Sequence, residues 1–249
     1  MIGVAGSGKS TLAATLCECD STCQSFTEAY REAISKAVLP GPSGILAKLL
    51  PDPVLSHLAR AFGVTDHALH LASLKHPHVF ATVGPQIKRY SNDDDRVDFV
   101  ARKMLSLMER FATIDAHLSR EATVLIDEGF AVCAGSVLHP PCSEKPVSQA
   151  DLTEYISSVP TPDIVVFTRA TPETCLGRCR ARDGGVPRSW ESLPDRSQLS
   201  HAERAAKMAR AVADAYAAAG TVVIEVDTEE LEVAEATEEA ARALRATID

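Results

Sequence analysis

The chain begins MIGVAGSGKST, and Gly3 to Ser10 within it follow the spacing Gly-x4-Gly-Lys-Ser, with Thr11 behind. Gly3, Gly6 and Gly8 can take backbone angles that a side chain would forbid. The N–H groups from Gly3 through Ala5, Gly6, Ser7, Gly8, Lys9, Ser10 and Thr11 could then turn inward around an anion. A helix starting near Lys9 would add its positive N-terminal end. Lys9 could reach the outer phosphates of a nucleotide, and the Ser10 hydroxyl could ligate Mg²⁺. A glycine-rich turn with no ligand is the bland alternative; residue types and spacing together favour the nucleotide.

A second group of residues fits the same chemistry. The run VLIDEGF ends an apolar stretch in Asp127 and Glu128. A buried strand that delivers a carboxylate to the rim of a phosphate site is the Walker B pattern, with Asp127 toward Mg²⁺. Glu128 would polarise water in a hydrolase. In a kinase it would accept a proton from a substrate hydroxyl or simply hold that hydroxyl. A third cluster lies in TPDIVVFTRATPETCLGRCRARDGGVPR, which carries Arg178, Arg180, Arg182 and, past two glycines, Arg188. Arg178 and Arg182 are four apart and would share a helix face. Guanidinium groups suit phosphate oxygens and the plane of a base. The glycines would allow a lid, about residues 178–196, that closes over ATP and brings Arg182 and Arg188 to the transferring phosphoryl group.

Such residues must be positioned by a scaffold. TVLID (123–127), DIVVFT (163–168) and TVVIEV (221–226) read as strands, rich in Val and Ile without alternation, as strands covered on both faces should be. Helical segments between and after them indicate a mostly parallel sheet wrapped by helices. Residues 20–119 offer helices rather than strands. In the clearest, Val100, Met104, Leu107, Phe111, Ile114 and Leu118 recur at spacings of four and three and make one apolar face. Asp93, Asp94 and Asp95 sit where acids favour a helix start rather than a metal. Breaks are expected near Pro40 and Pro51, and helices over about 202–219 and 229–246.

Composition narrows the function. A chain of 249 residues is long enough for one α/β domain with a helical insertion. A net charge of −9 argues against nucleic-acid binding by bulk electrostatics. No apolar run approaches 18 residues, so no membrane span is expected, and no signal peptide is visible. Seven cysteines, an odd number, read as free thiols in a reducing cytoplasm. Neither Cys17-x-Cys19-x3-Cys23 nor Cys175-x3-Cys179 has the spacing of a zinc site. His57, His67, His70, His76 and His78 match no standard metal motif.

GVAGSGKST, VLIDEG, PDIVVFTRATPETCLGRCRARDGG and VVIEVDT together resemble the P-loop nucleoside and nucleotide kinases of the thymidylate-kinase and adenylate-kinase type. The resemblance covers roughly 1–19 and 120–249. It implies a three-layer α/β/α P-loop NTPase fold spanning 1–249, with 20–119 as an acceptor-side insertion. It also implies ATP and Mg²⁺ as donor and cofactor. The exit of the last strand, Val226 to Thr228 and so Asp227, would help hold adenine; Arg178 would pack on the base and Arg182 would meet phosphates. Thymidylate kinases carry Asp-Arg where this chain has Asp127-Glu128, and no deoxynucleoside-kinase base is recognisable. The phosphate acceptor is therefore a small molecule of unread identity. Arg89, Arg96 and Arg102 would either contact an anion there or form surface ion pairs. A homodimer is compatible, since these folds often pair through helices.

The expected activity is that of an ATP-dependent small-molecule kinase. The alternative is an ATP-hydrolysing regulatory ATPase using Asp127 and Glu128. A GTPase is disfavoured by the lack of Asn-Lys-x-Asp, and a transporter ATPase by the lack of Leu-Ser-Gly-Gly-Gln; a binding module without turnover is a further reading. The strand before the phosphate loop should be central and about five residues long. Only Met1 and Ile2 precede the loop, so the expectation is a truncated first strand, a start upstream of Met1, and weak ATP affinity otherwise.

Overall fold

The Val- and Ile-rich runs become parallel strands in the computed structural model, which describes residues 1–20, 22–38, 50–91, 93–119, 122–139, 146–191 and 193–248. In chain order the elements are α1 (Lys9–Cys19), β1 (Cys23–Ser25), α2 (Phe26–Val38), α3 (Asp52–Ala61), α4 (Val64–Lys75), α5 (His78–Tyr90) and α6 (Asp94–His117). Then come β2 (Thr123–Leu125), α7 (Phe130–Leu138), α8 (Gln149–Ser158), β3 (Ile164–Arg169) and α9 (Pro172–Ala181). The chain continues with α10 (Arg188–Glu191), α11 (Asp195–Ala218), β4 (Val222–Asp227) and α12 (Val233–Ile248). The described chain is mostly helical, with short parallel strands.

β1 pairs with β2, Cys23 opposite Thr123, and β3 pairs with β4 from Ile164–Val222 to Arg169–Asp227. Residues 1 and 2 lie between the two pairs. Ile2 bridges Phe167 in parallel: its N–H donates to the Val166 carbonyl at 2.8 Å, and Thr168 N–H donates to the Ile2 carbonyl at 2.9 Å. On the other side the Met1 amine donates to the Ile126 carbonyl at 2.5 Å. The strands form two separate parallel pairs, β1–β2 and β3–β4, with residues 1–2 between them. The expected central strand is reduced to one bridge.

Both faces are covered. Val165 and Phe167 of β3 join one core with α5, α6, α7, α8 and α11, built on Val83, Met104, Val137, Tyr155 and Tyr216 among others. Val166, with Leu125, Ile224 and Val226, faces the other way onto Leu12 and Leu16 of α1 and Ala236 and Ala240 of α12. Consecutive side chains of a strand point to opposite faces, so a strand between two helical layers must be apolar throughout.

The helical expectations are met where periodicity was strong. Asp93 caps α6 by accepting from the N–H groups of Asp95 and Arg96 at 3.1 and 3.4 Å, which gives the acid run its local role. Val100, Met104 and Leu107 are buried, and Phe111 and Ile114 pack against the same core. One expectation is corrected: residues 20–119 are not purely helical, because Cys23–Ser25 forms β1. Its sequence, Cys-Gln-Ser, has no apolar run to reveal a strand. Pro40, with the LPGPSG break, and Cys142 lie outside the described residues. Among the described residues no helix is long and apolar enough to cross a membrane.

Candidate functional site

The loop from Gly3 to Gly8 leaves the Ile2 bridge and enters α1 at Gly8, whose φ of 85° is left-handed. It is held by side chains from two distant strand ends. Ser7 Oγ lies 2.7 Å from Thr168 Oγ1, both buried. Thr228 Oγ1 donates to the Ser7 carbonyl at 2.8 Å and also reaches the Arg169 carbonyl at 3.0 Å. Gly6 also has φ 85°, and a Cβ there would stand 2.1 Å from the Cys175 carbonyl oxygen. α9 is therefore seated directly on the loop. Thr228→Val removes both hydrogen bonds at a site only 8 % exposed. We expect a loss of about 1–2 kcal/mol in urea unfolding.

Lys9 folds back over this loop, donating from Nζ to the Gly3 carbonyl at 2.7 Å and the Val4 carbonyl at 2.8 Å. Burial lowers its pKa to about 8, against the pull of Cys175, Glu128 and Asp127 nearby. Ser10 Oγ donates to Asp127 Oδ2 at 3.1 Å, joining positions 117 residues apart. Glu128, the next residue, is exposed and meets Lys103 of α6 at 3.6 Å. Lys103 escaped sequence reasoning. Its position on the helical segment opposite VLIDEG is a fact of packing, with no motif to announce it.

The arginine cluster divides. Arg178 Nη2 donates to the Thr228 carbonyl at 2.7 Å, at the exit of β4 where the base was expected. Arg180 is bound to Gln198 at 2.9 Å and Asp195 at 3.2 Å, and so ties α9 to α11. Arg182 follows the last turn of α9 and, exposed, donates to the Gly185 carbonyl at 2.6 Å. The side chain of Arg188 lies outside the described structure. The lid segment is anchored: Trp190, 4 % exposed, packs with Val4, Cys175, Leu176 and Ala202. Asp227 sits at the strand exit, but its carboxylate serves the turn. It accepts from the N–H groups of Glu229 and Glu230 at 2.9 and 3.1 Å and pairs with Arg169 at 2.5 Å. These contacts, that from Glu230 foremost, hold its pKa below the usual range.

The acceptor-side arginines are scattered. Arg89 pairs with buried Asp151, which also accepts from Tyr90 and Ser148. Arg96 donates to the Ser136 carbonyl at 3.1 Å, and Arg102 is an exposed partner of Asp98 at 3.9 Å. Burial pushes the Cys175 thiol up to about 11 and raises Cys179 as well, so neither is a ready nucleophile beside the loop. Cys17 and Cys23 lie 3.5 Å apart, sulfur to sulfur, as free thiols. Among the described residues no three or more His, Cys, Asp or Glu side chains converge on a common point.

No protein-family model matches this chain, and no curated protein matches it.

Proposed function

We propose that the protein is an ATP-dependent phosphotransferase of the P-loop kinase kind, acting on a small-molecule hydroxyl or phosphate. The observation that carries the proposal is the meeting of Ser10 with Asp127 at the mouth of the glycine loop. A hydroxyl and a carboxylate, both hard oxygen donors, suit Mg²⁺, which usually takes one or two protein ligands and completes its shell with water and phosphate oxygens. When bound there, the ion would neutralise charge on the β- and γ-phosphates.

The chain's own residues supply the rest. The loop N–H groups and the start of α1 bind and orient the phosphates. Lys9, released from the Gly3 and Val4 carbonyls, turns to the outer phosphate oxygens and adds a fixed positive charge. Arg178, held at Thr228, offers a flat cation where β4 ends, suited to stacking on a base. Glu128 holds or deprotonates the attacking hydroxyl. Its contact with Lys103 links it to the helical segment that would carry the acceptor, and this supports a kinase over a bare hydrolase.

The experiment is ADP release from Mg·ATP, alone and with pooled nucleosides, nucleoside monophosphates and small sugars. Release that rises with one pool supports the kinase and names its acceptor class. Equal release without any acceptor favours the ATPase. Asp127→Asn should keep the fold and lower Mg²⁺-dependent release by about 10²-fold. Unchanged release in that variant would remove Asp127 from the site.

A further inference from the structure

His139 ends α7, while His201 and Arg204 lie three residues apart on one face of α11. The two imidazoles stack at 6.1 Å with planes 8° apart, and Trp190 meets His201 edge-on at 5.1 Å. His201 is only 4 % exposed. Three polar atoms here are buried with no hydrogen-bond partner: His139 Nε2, His201 Nδ1 and Arg204 Nε. Buried polar atoms are nearly always satisfied, because leaving one unpaired costs its desolvation. An arginine Nε always carries its hydrogen, so Arg204 presents a donor that lacks an acceptor.

Arg204, Arg96 and the neighbouring imidazole act on His201, and Arg204 and Arg96 act on His139, all toward the neutral imidazole. Burial first, and then these cations, lower His201 to about 4 and His139 in the same direction. In a chain with net charge −9, two unpartnered ring nitrogens, either of which can carry the imidazole hydrogen, beside an unpartnered guanidinium N–H suit an anion.

We propose that His139, His201 and Arg204 form a binding site for a small phosphate-type oxyanion, distinct from the glycine loop. The oxyanion would accept from Arg204 Nε–H and from an N–H of each imidazole, satisfying all three orphaned atoms. Along α6, Arg96 touches α7 at Ser136 and Lys103 touches Glu128. Arg96 and Lys103 are thus about 10 Å apart along the axis of α6. The inference does not rest on the kinase reading.

The test follows the His139 and His201 ring signals by NMR across pH, in inorganic phosphate and in chloride of equal ionic strength. Bound phosphate favours the charged imidazoles, so both should gain about tenfold in proton affinity. Arg204→Gln should abolish the gain, and should it fail to fold, His139→Gln should abolish it at His201. Lys9→Ala, which cripples the glycine loop, should leave it intact. No gain in the native chain, a gain that survives Arg204→Gln, or one lost with Lys9 would each overturn the site.

Discussion

Lys9→Met will reduce the proposed Mg·ATP-dependent turnover by about 10³-fold or more and leave the ligand-free protein as stable as before, or more so. The two effects have one cause. The Lys9 ammonium is desolvated and held by two carbonyls, those of Gly3 and Val4. Its pKa falls from 10.5 to about 8, mainly through burial, which corresponds to at most about 3 kcal/mol of penalty on the charged form. The two carbonyl hydrogen bonds recover part of it. A neutral, isosteric methionine carries no such penalty.

The pH dependence follows with a definite sign. The unfolded lysine keeps its proton up to about 10.5 and the folded one only to about 8. The unfolded chain therefore binds more protons in that window, and stability is lost as pH falls through it and is level below about 8. Buried thiols such as Cys175, whose pKa is raised, push the other way over the same range. The rise is therefore read as the difference between thermal melts of the ligand-free native chain and of Lys9→Met from pH 8 to 10.5: the native chain should gain on the variant as pH rises. Saturating Mg·ATP at about 100 times its dissociation constant should stabilise the native chain by about 2.7 kcal/mol and the variant by nothing measurable. Turnover that persists in Lys9→Met, or an ATP-induced rise in its melting temperature, would refute the assigned role.

The parts of this site that could be read from sequence are those whose information is local. Lys9 and Ser10 are fixed by glycine spacing, and Asp127 by the end of an apolar run, so their meeting across 117 residues was foreseeable. Thr168 and Thr228 hold the loop just as firmly, but only through pairing with Ser7, which no run of residues encodes. Asp227 was placed at the strand exit correctly; what its carboxylate does there is decided by the N–H groups of Glu229 and Glu230 and by Arg169 across the sheet. The three apolar strands were visible because helices cover both faces, whereas β1, being Cys-Gln-Ser, has no hydrophobic pattern at all. His139 ends α7 whereas His201 and Arg204 share α11, and no spacing motif joins all three.

The largest loss of stability is expected for Gly6→Ala. Two penalties act at this position. A φ of 85° is left-handed, which costs an L-residue about 1–2 kcal/mol. The added Cβ would also stand 2.1 Å from the Cys175 carbonyl oxygen and 2.9 Å from its carbon. Both belong to the backbone of α9, so no rotamer change relieves the contact. α9 cannot simply retreat, because Cys175 and Leu176 are packed with Val4, Trp190 and Ala202. A total of about 4 kcal/mol or more is expected, together with loss of ATP binding. Gly63→Ala separates the two penalties. Its φ of 66° is also left-handed, yet a Cβ there meets nothing within 4 Å. That variant should lose only about 1 kcal/mol in urea unfolding. The difference between the two variants measures how tightly α9 is seated on the loop. Were Gly6→Ala to unfold within about 1 kcal/mol of Gly63→Ala, α9 would not be seated on the loop, and the placing of Arg178 beside the proposed nucleotide site would fall with it.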